Sequence, residues 1–419
     1  MRDFCRRSIR ALASASFLIL TVSPAAKAEV NWPGWGGPTG TGHTAETGLP
    51  LTWTTKNVVW KAPLKGTGQS TPVLWGNQIF LTTALEDGRQ RVVFALDRRD
   101  GKTLWEHVAW TGEPEKSHVM NGWASATCAT NGKIVVAFFG RGGVHGYALD
   151  GKPLWSRDLG EFEGPWGTAA SPVFFGDTVI LNGDSLSKDA SLTALNALTG
   201  ETVWQTPREG AIGWSTPVLI RTAERQELVV NGHSAVRGYD PQTGQELWSC
   251  KSYAGRGEPV PAFAHGKLYV VNGLAGDIYA VRPGGSGDVS ATHRVWHTPR
   301  KGGRDLPSPV VIDKYLLTAS MNGIMICYDC ETGRELWKER VGEKYSSSPL
   351  VAEGRAYFQS DAGETIVVEP GEQMKIVAKS KLESESDELF RAALVPSQGQ
   401  LLIRSTKFLY CVGPQSAGK

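Results

Sequence analysis

Between Ser215 and Cys250 the apolar and polar positions fall into four short runs, STPVLI, ELVVNG, VRGYDP and QELWSC, separated by polar breaks. Short length and alternation predict four consecutive strands. The last two carry a signature, GYDPQTGQELW at residues 238–248, which returns as CYDCETGRELW at 327–337. Further copies end at Trp105 (ALDRRDGKTLW), Trp155 (ALDGKPLW) and Trp204 (ALNALTGETVW), a weaker one at Trp296, and a truncated NVVW at Trp60. These tryptophans lie 45, 50, 49, 44, 48 and 41 residues apart, a period expected of stacked or radial units.

Within the signature, Asp240 opens a turn by bonding its own backbone and Gly244 supplies the positive φ that closes a hairpin. The tryptophan on the fourth strand buries a large area against the neighbouring unit, since a single four-stranded sheet has no core of its own. Four-stranded units of this length, repeated radially, predict an all-β propeller. Inner strands begin near Thr71, Thr127, Ser171, Thr216, Val260, Ser308, Ser348 and Ala393, which makes eight blades of antiparallel strands. The last unit runs out after three strands at FLYCVG, whereas the chain begins with an unpaired fourth-strand pattern at residues 57–61. The ring is therefore expected to close by lending the N-terminal strand to the final blade, which removes an open edge. Residues 51–413 form the propeller, 29–50 a strap or a tail, and 414–419 a C-terminal tail.

A propeller also accommodates the length of 419 residues, more than one hydrophobic core usually serves. The first 28 residues join four arginines, an apolar run and Ala26-Lys27-Ala28, the pattern of a secretory signal with its cleavage site. The expected location is thus beyond the inner membrane, periplasmic or extracellular. Without that segment 39 basic and 41 acidic residues remain, a balance that gives no reason to expect nucleic acid. Beyond it no stretch approaches the roughly 20 apolar residues of a membrane span. Cys128, Cys250, Cys327, Cys330 and Cys411 remain, an odd number in a compartment that permits disulfides, so at least one thiol is free or pairs outside the chain. Cys327 and Cys330 form C-x-x-C with no following histidine and no second pair, which excludes covalent haem and argues against zinc. His293 and His297 are too far apart on an extended strand, about 13 Å, to share a metal.

The A-[LY]-D-x-x-T-G-x-x-x-W signature resembles the repeat of the pyrroloquinoline quinone (PQQ) propellers over essentially the whole mature chain. That family contains calcium-dependent quinoprotein alcohol dehydrogenases and non-enzymatic members such as the propeller lipoprotein of the outer-membrane β-barrel assembly machine. WPGWGGPTGTG, NGWASAT, GGSGDVSATHRVW and LLIRSTKFLYCVG look most like a group of secreted bacterial propellers.

A site is expected on the face carrying the loops that lead into the inner strands. The longest of these holds His118, Asn121 and Trp123, and the next two hold Trp166 and Trp214, so three successive blades offer an indole at one structural position. Later loops offer Arg256 and Glu258, Arg304 and Asp305, then Glu388 and Arg391. Indoles among unlike charges suit a planar anionic or sugar-like ligand, or a protein partner anchored by Trp and Arg. They equally suit indoles that merely plug the channel. Two functions follow. One is a monomeric, non-enzymatic binding scaffold, with no catalytic residue, no metal and no cofactor. The other, implied by the resemblance, is a dehydrogenase in which PQQ stacks on an indole while Ca²⁺ and a carboxylate such as Glu258 or Glu388 assist oxidation of an alcohol or sugar. The adjacent cysteine pair and haem motif of the alcohol dehydrogenases are missing from this sequence.

Overall fold

The computed structural model describes residues 31–413 except 254–255, 275, 301–303 and 305; the expected signal, 1–28, and C-terminal tail, 414–419, lie outside the described residues. Eight sheets follow one another along the chain. Blade four reproduces the four runs read from the sequence, as Val218–Arg221, Gln226–Asn231, Ala235–Tyr239 and Glu246–Lys251, paired antiparallel in that order. Ring closure also follows the expectation: Val58–Pro63 pairs antiparallel with Phe408–Val412, with Val58 opposite Val412 and Lys61 opposite Tyr410. Blade eight is thus completed by the other end of the chain, which pairs the otherwise open edge of Phe408–Val412.

The signature turns out to be an inter-blade joint. Each indole N–H of Trp60, Trp105, Trp155, Trp204, Trp296 and Trp337 donates to a carbonyl in the following blade's signature turn, at 2.8–3.2 Å. The turn glycine lets the ring approach: Gly244 has φ 73°, and a Cβ there would lie 2.4 Å from the ring of Trp204. Asp240 accepts from the backbone N–H groups of Gln242 and Thr243, as a turn-opening aspartate should.

Trp248 departs from this pattern because blade five has a longer third hairpin without the D-x-x-T-G turn. That hairpin folds back over blade four, where Gly287–Asp288 adds a fifth, parallel strand beside Trp248 and Ser249. The Trp248 side chain is fully buried, and its N–H finds the Glu227 carboxylate of its own blade at 2.7 Å.

Around the channel the Ser/Thr-Pro starts of the inner strands form a hydroxyl belt. The backbone N–H of Thr71 donates to Thr127 Oγ1, Thr127 to Ser171 Oγ, and Ser171 to Thr216 Oγ1, at 2.9–3.0 Å. Val260 donates to Ser308 Oγ, Ser308 to Ser348 Oγ, and Ala393 to Thr71 Oγ1. The belt breaks only where the next blade presents Val260 or Ala393 instead of a hydroxyl. A proline after most of these residues leaves no orphan N–H on the exposed inner edge.

Residues 31–50 cross the opposite face of the ring. Trp32 exchanges backbone bonds with Leu74 of blade one, His43 Nε2 donates to the Val311 carbonyl of blade six, and Thr44 N–H donates to Val351 of blade seven. The Glu46 carboxylate accepts from Gln398 and Gly399 of blade eight. Trp32 is 1% exposed, and Trp35 reaches the floor of the channel. All five described cysteines are buried and unbridged; Cys327 and Cys330 sit at a strand and its turn, and burial pushes both thiols up, to about 12 and about 11.

A candidate ligand-binding site at the channel mouth

The loops into all eight inner strands converge on one cavity of about 220 Å³. Its floor is Trp35, and its lower wall is the hydroxyl belt, with Thr71, Thr127, Thr216, Ser308 and Ser348 among the lining residues. Because each of these hydroxyl oxygens already accepts a backbone N–H, its own proton is left to donate into the channel.

Above the belt the side chains become charged and aromatic. Trp166 and Trp214 meet edge to face with ring centres 5.9 Å apart, and the Trp214 N–H donates to the Gly167 carbonyl. The Arg256 guanidinium lies 4.3 Å from the Trp166 ring centre and 6.0 Å from that of Trp214, a cation over two π faces. Next to it on the same loop stands Glu258. Burial pushes its carboxyl up to about 7, against the opposing pull of Arg256 and of Arg304 from blade six. Arg391, from blade eight, is held by Asp361 Oδ2 at 3.0 Å.

A roof partly covers this chamber. The turn at 118–122, fixed by Asn121 and Gly122 N–H bonds to the His118 carbonyl, leans from blade two over the mouth. Asn121 Nδ2 donates to the Trp166 carbonyl at 2.7 Å, Arg391 reaches the Val119 carbonyl, and Met120 Sδ lies 3.9 Å from Lys344 Nζ of blade seven. Thus one loop bridges blades three, seven and eight.

Of the residues singled out from sequence, His118, Asn121, Trp166, Trp214, Arg256, Glu258, Arg304 and Arg391 line this one cavity. Asp305 lies outside the described residues. Trp123 corrects the expectation of three equivalent indoles: it packs under its loop against Gly88 and Arg91, its N–H donating to the Glu115 carbonyl at 2.8 Å, and is not among the lining residues. The cause is the buried Arg91–Glu115 pair, 2.7 Å apart, which draws the long loop sideways and gives the indole a partner there. Glu388 is corrected likewise. It accepts from the Tyr410 hydroxyl at 2.7 Å inside blade eight and faces away from the cavity. Trp35 and Met120 also line the cavity and were not foreseen as site residues; for Trp35 the only signal was the Gly-rich, tryptophan-bearing strap sequence itself.

Polar atoms without partners gather here. Among the described residues Glu258 Oε2, Arg304 Nε and Ser346 Oγ, all on lining residues, are buried and make no hydrogen bond. Buried polar groups are ordinarily paired, so three unpaired atoms on the lining of one cavity are exceptions that call for an explanation. Among the described residues no three His, Cys, Asp or Glu side chains gather as a metal site, and no helix is long and apolar enough to cross a membrane.

Comparison with known proteins places this site in a family context. The family profile described as outer membrane protein assembly factor BamB matches residues 44–165, 147–304 and 274–373. Tetrathionate hydrolase of Acidithiobacillus ferrooxidans is 25% identical over 297 residues, 64% of this chain, but the match spans only 53% of that protein. The assembly factor BamB of Yersinia pestis is 26% identical, over 67% of this chain and 69% of its own length. Among solved structures, a europium-containing methanol dehydrogenase superposes with a TM-score of 0.67 at 12% identity, covering 89% of each chain. At that identity the likeness is one of fold alone.

Proposed function

From the premise that this chain belongs to the PQQ-like propeller family that includes the assembly factor BamB, we propose that it is a non-enzymatic binding scaffold of the cell envelope, exported across the inner membrane, which takes an anionic ligand or an anionic group of a protein partner at its channel mouth. One observation carries this reading. Arg256, Arg304 and Arg391 converge with two indoles on a cavity whose described lining contains a single carboxylate, Glu258. Positive charge in a walled, low-dielectric cleft favours an anion, and indole with guanidinium supplies the contact energy.

The residues present do not fit PQQ with calcium. A planar quinone needs an open indole face, but Arg256 covers that of Trp166, and Trp214 meets it at 67° rather than flanking a slot. Calcium needs several oxygen ligands, and the second carboxylate expected from the sequence, Glu388, is engaged by Tyr410 away from the cavity. No chemical step is therefore assigned to this site.

Native mass spectrometry of the exported protein after incubation with envelope extract tests the reading. A retained ligand or partner should be lost from the Arg256→Gln/Arg304→Gln double variant with its fold intact. Retention that is indifferent to both arginines would overturn the reading.

A further inference from the structure

The chamber at the mouth is closed below and roofed above, and this limits what it can hold. Trp35 and the strap block passage through the ring, so a polymer cannot be threaded. The 118–122 turn narrows the opening, and about 220 Å³ remains. The occupant is small. Its chemistry is set by what the lining lacks. Arg391 is already paired with Asp361, whereas Arg256 and Arg304 share the pull of the one carboxylate Glu258 and neither closes a salt bridge within 4 Å among the described residues. Arg304 Nε lacks an acceptor and Glu258 Oε2, on the neighbouring blade, lacks a donor. A bare carboxylate would satisfy the arginine but set a second anion beside Glu258. A carboxylate with a donor next to it would satisfy both.

Resting on the binding reading above, we propose that the cavity is a receptor for a small organic acid that carries a hydrogen-bond donor beside its carboxylate, as a sugar acid or an amino acid does. The carboxylate pairs with Arg304 and Arg256, and the adjacent hydroxyl or ammonium donates to Glu258. The hydroxyl belt offers further donors to ligand oxygens, and the indoles pack against the sugar face or the side chain. Glu258 faces Arg256 from its own loop and Arg304 from blade six, while His118 of blade two and Arg391 of blade eight are the other ionisable groups of the lining. Burial holds Glu258 partly in its acid form near neutrality, so at low pH it can itself donate and the demand for a ligand donor relaxes.

Calorimetric titration of the exported protein with matched pairs tests this: D-gluconate against hexanoate, and L-phenylalanine against 3-phenylpropanoate. At pH 8 the donor-bearing member of at least one pair should bind at least about tenfold tighter than its mate, with the preference shrinking at pH 5.5. Gluconate alone points to sugar acids, phenylalanine alone to amino acids. Glu258→Gln should erase the preference, and Arg304→Gln, or Arg304→Lys if the first does not fold, should weaken binding at least about tenfold. The proposal is overturned if neither donor-bearing acid binds, if each mate binds equally well at pH 8, or if the preference survives Glu258→Gln. Failure here, combined with a ligand from envelope extract that still depends on Arg256 and Arg304, rejects the ligand class but not the binding reading; loss of that dependence rejects both.

Discussion

Replacing Glu258 with glutamine should stabilise the unliganded protein by an amount that grows from pH 4.5 to about 7 and is complete above it. Burial raises this carboxyl from its ordinary 4.5 to about 7. The folded state therefore keeps a proton that the unfolded state has released, and between pH 4.5 and 7 stability falls as pH rises. Below 4.5 both states hold the proton and the cost vanishes; above 7 both are ionised and the full cost is present. At about 1.4 kcal/mol for each tenfold change in acidity, that cost is about 3 kcal/mol. Glutamine keeps the shape and removes the charge. Urea unfolding of both proteins should give nearly equal midpoints at pH 4.5 and a variant more stable by about 2 to 3 kcal/mol at pH 8. A variant less stable at pH 8 would refute the reasoning, because it would mean that Glu258 serves as the structural partner of Arg256 and Arg304 and not as a group awaiting a ligand.

The signature tryptophans and the closing strand give further expectations. Trp248→Ala should cost about 3 to 5 kcal/mol in chemical unfolding, since it empties a fully buried site and also leaves Glu227 Oε2 without its donor, Oε1 remaining with Arg225. A loss under about 1 kcal/mol would refute that packing role. Deleting residues 29–62 should leave blade eight with an open edge and produce aggregates by light scattering, whereas deleting 29–50 should leave a folded monomer with a chamber open at its floor. Equal behaviour of the two would show that strand Val58–Pro63 does not close the ring.

Much of the fold was legible because its determinants repeat. The spacing of the tryptophans, the Asp and Gly of the signature and the Ser/Thr-Pro starts each report a local rule that returns in most blades, so one unit explains the others. What such periodicity leaves open is where a side chain turns once it leaves the repeat. Trp123, Trp166 and Trp214 occupy equivalent stretches of sequence, yet the buried Arg91–Glu115 pair diverts the first, and nothing near Trp123 announces that pairing. Glu388 was equally ambiguous until Tyr410, which lies in the third strand of its blade, claimed it. The chamber floor was hidden for the same reason: Trp35 belongs to a non-periodic strap whose partners lie from tens to hundreds of residues away. The convergence of arginines was visible only as a set of unequal loops, and the ring geometry turned that set into a site.

The central claim is that the mouth of this quinoprotein-like ring binds an anion and is not a PQQ and calcium site. Native mass spectrometry of the protein with equimolar PQQ, with and without Ca²⁺, tests it most directly. The account predicts no calcium-dependent PQQ adduct, since Arg256 occupies the indole face and Glu258 stands alone among the described carboxylates of the lining. A stoichiometric, calcium-dependent adduct that Arg256→Gln or Glu258→Gln abolishes would contradict the account and turn the reading toward a dehydrogenase.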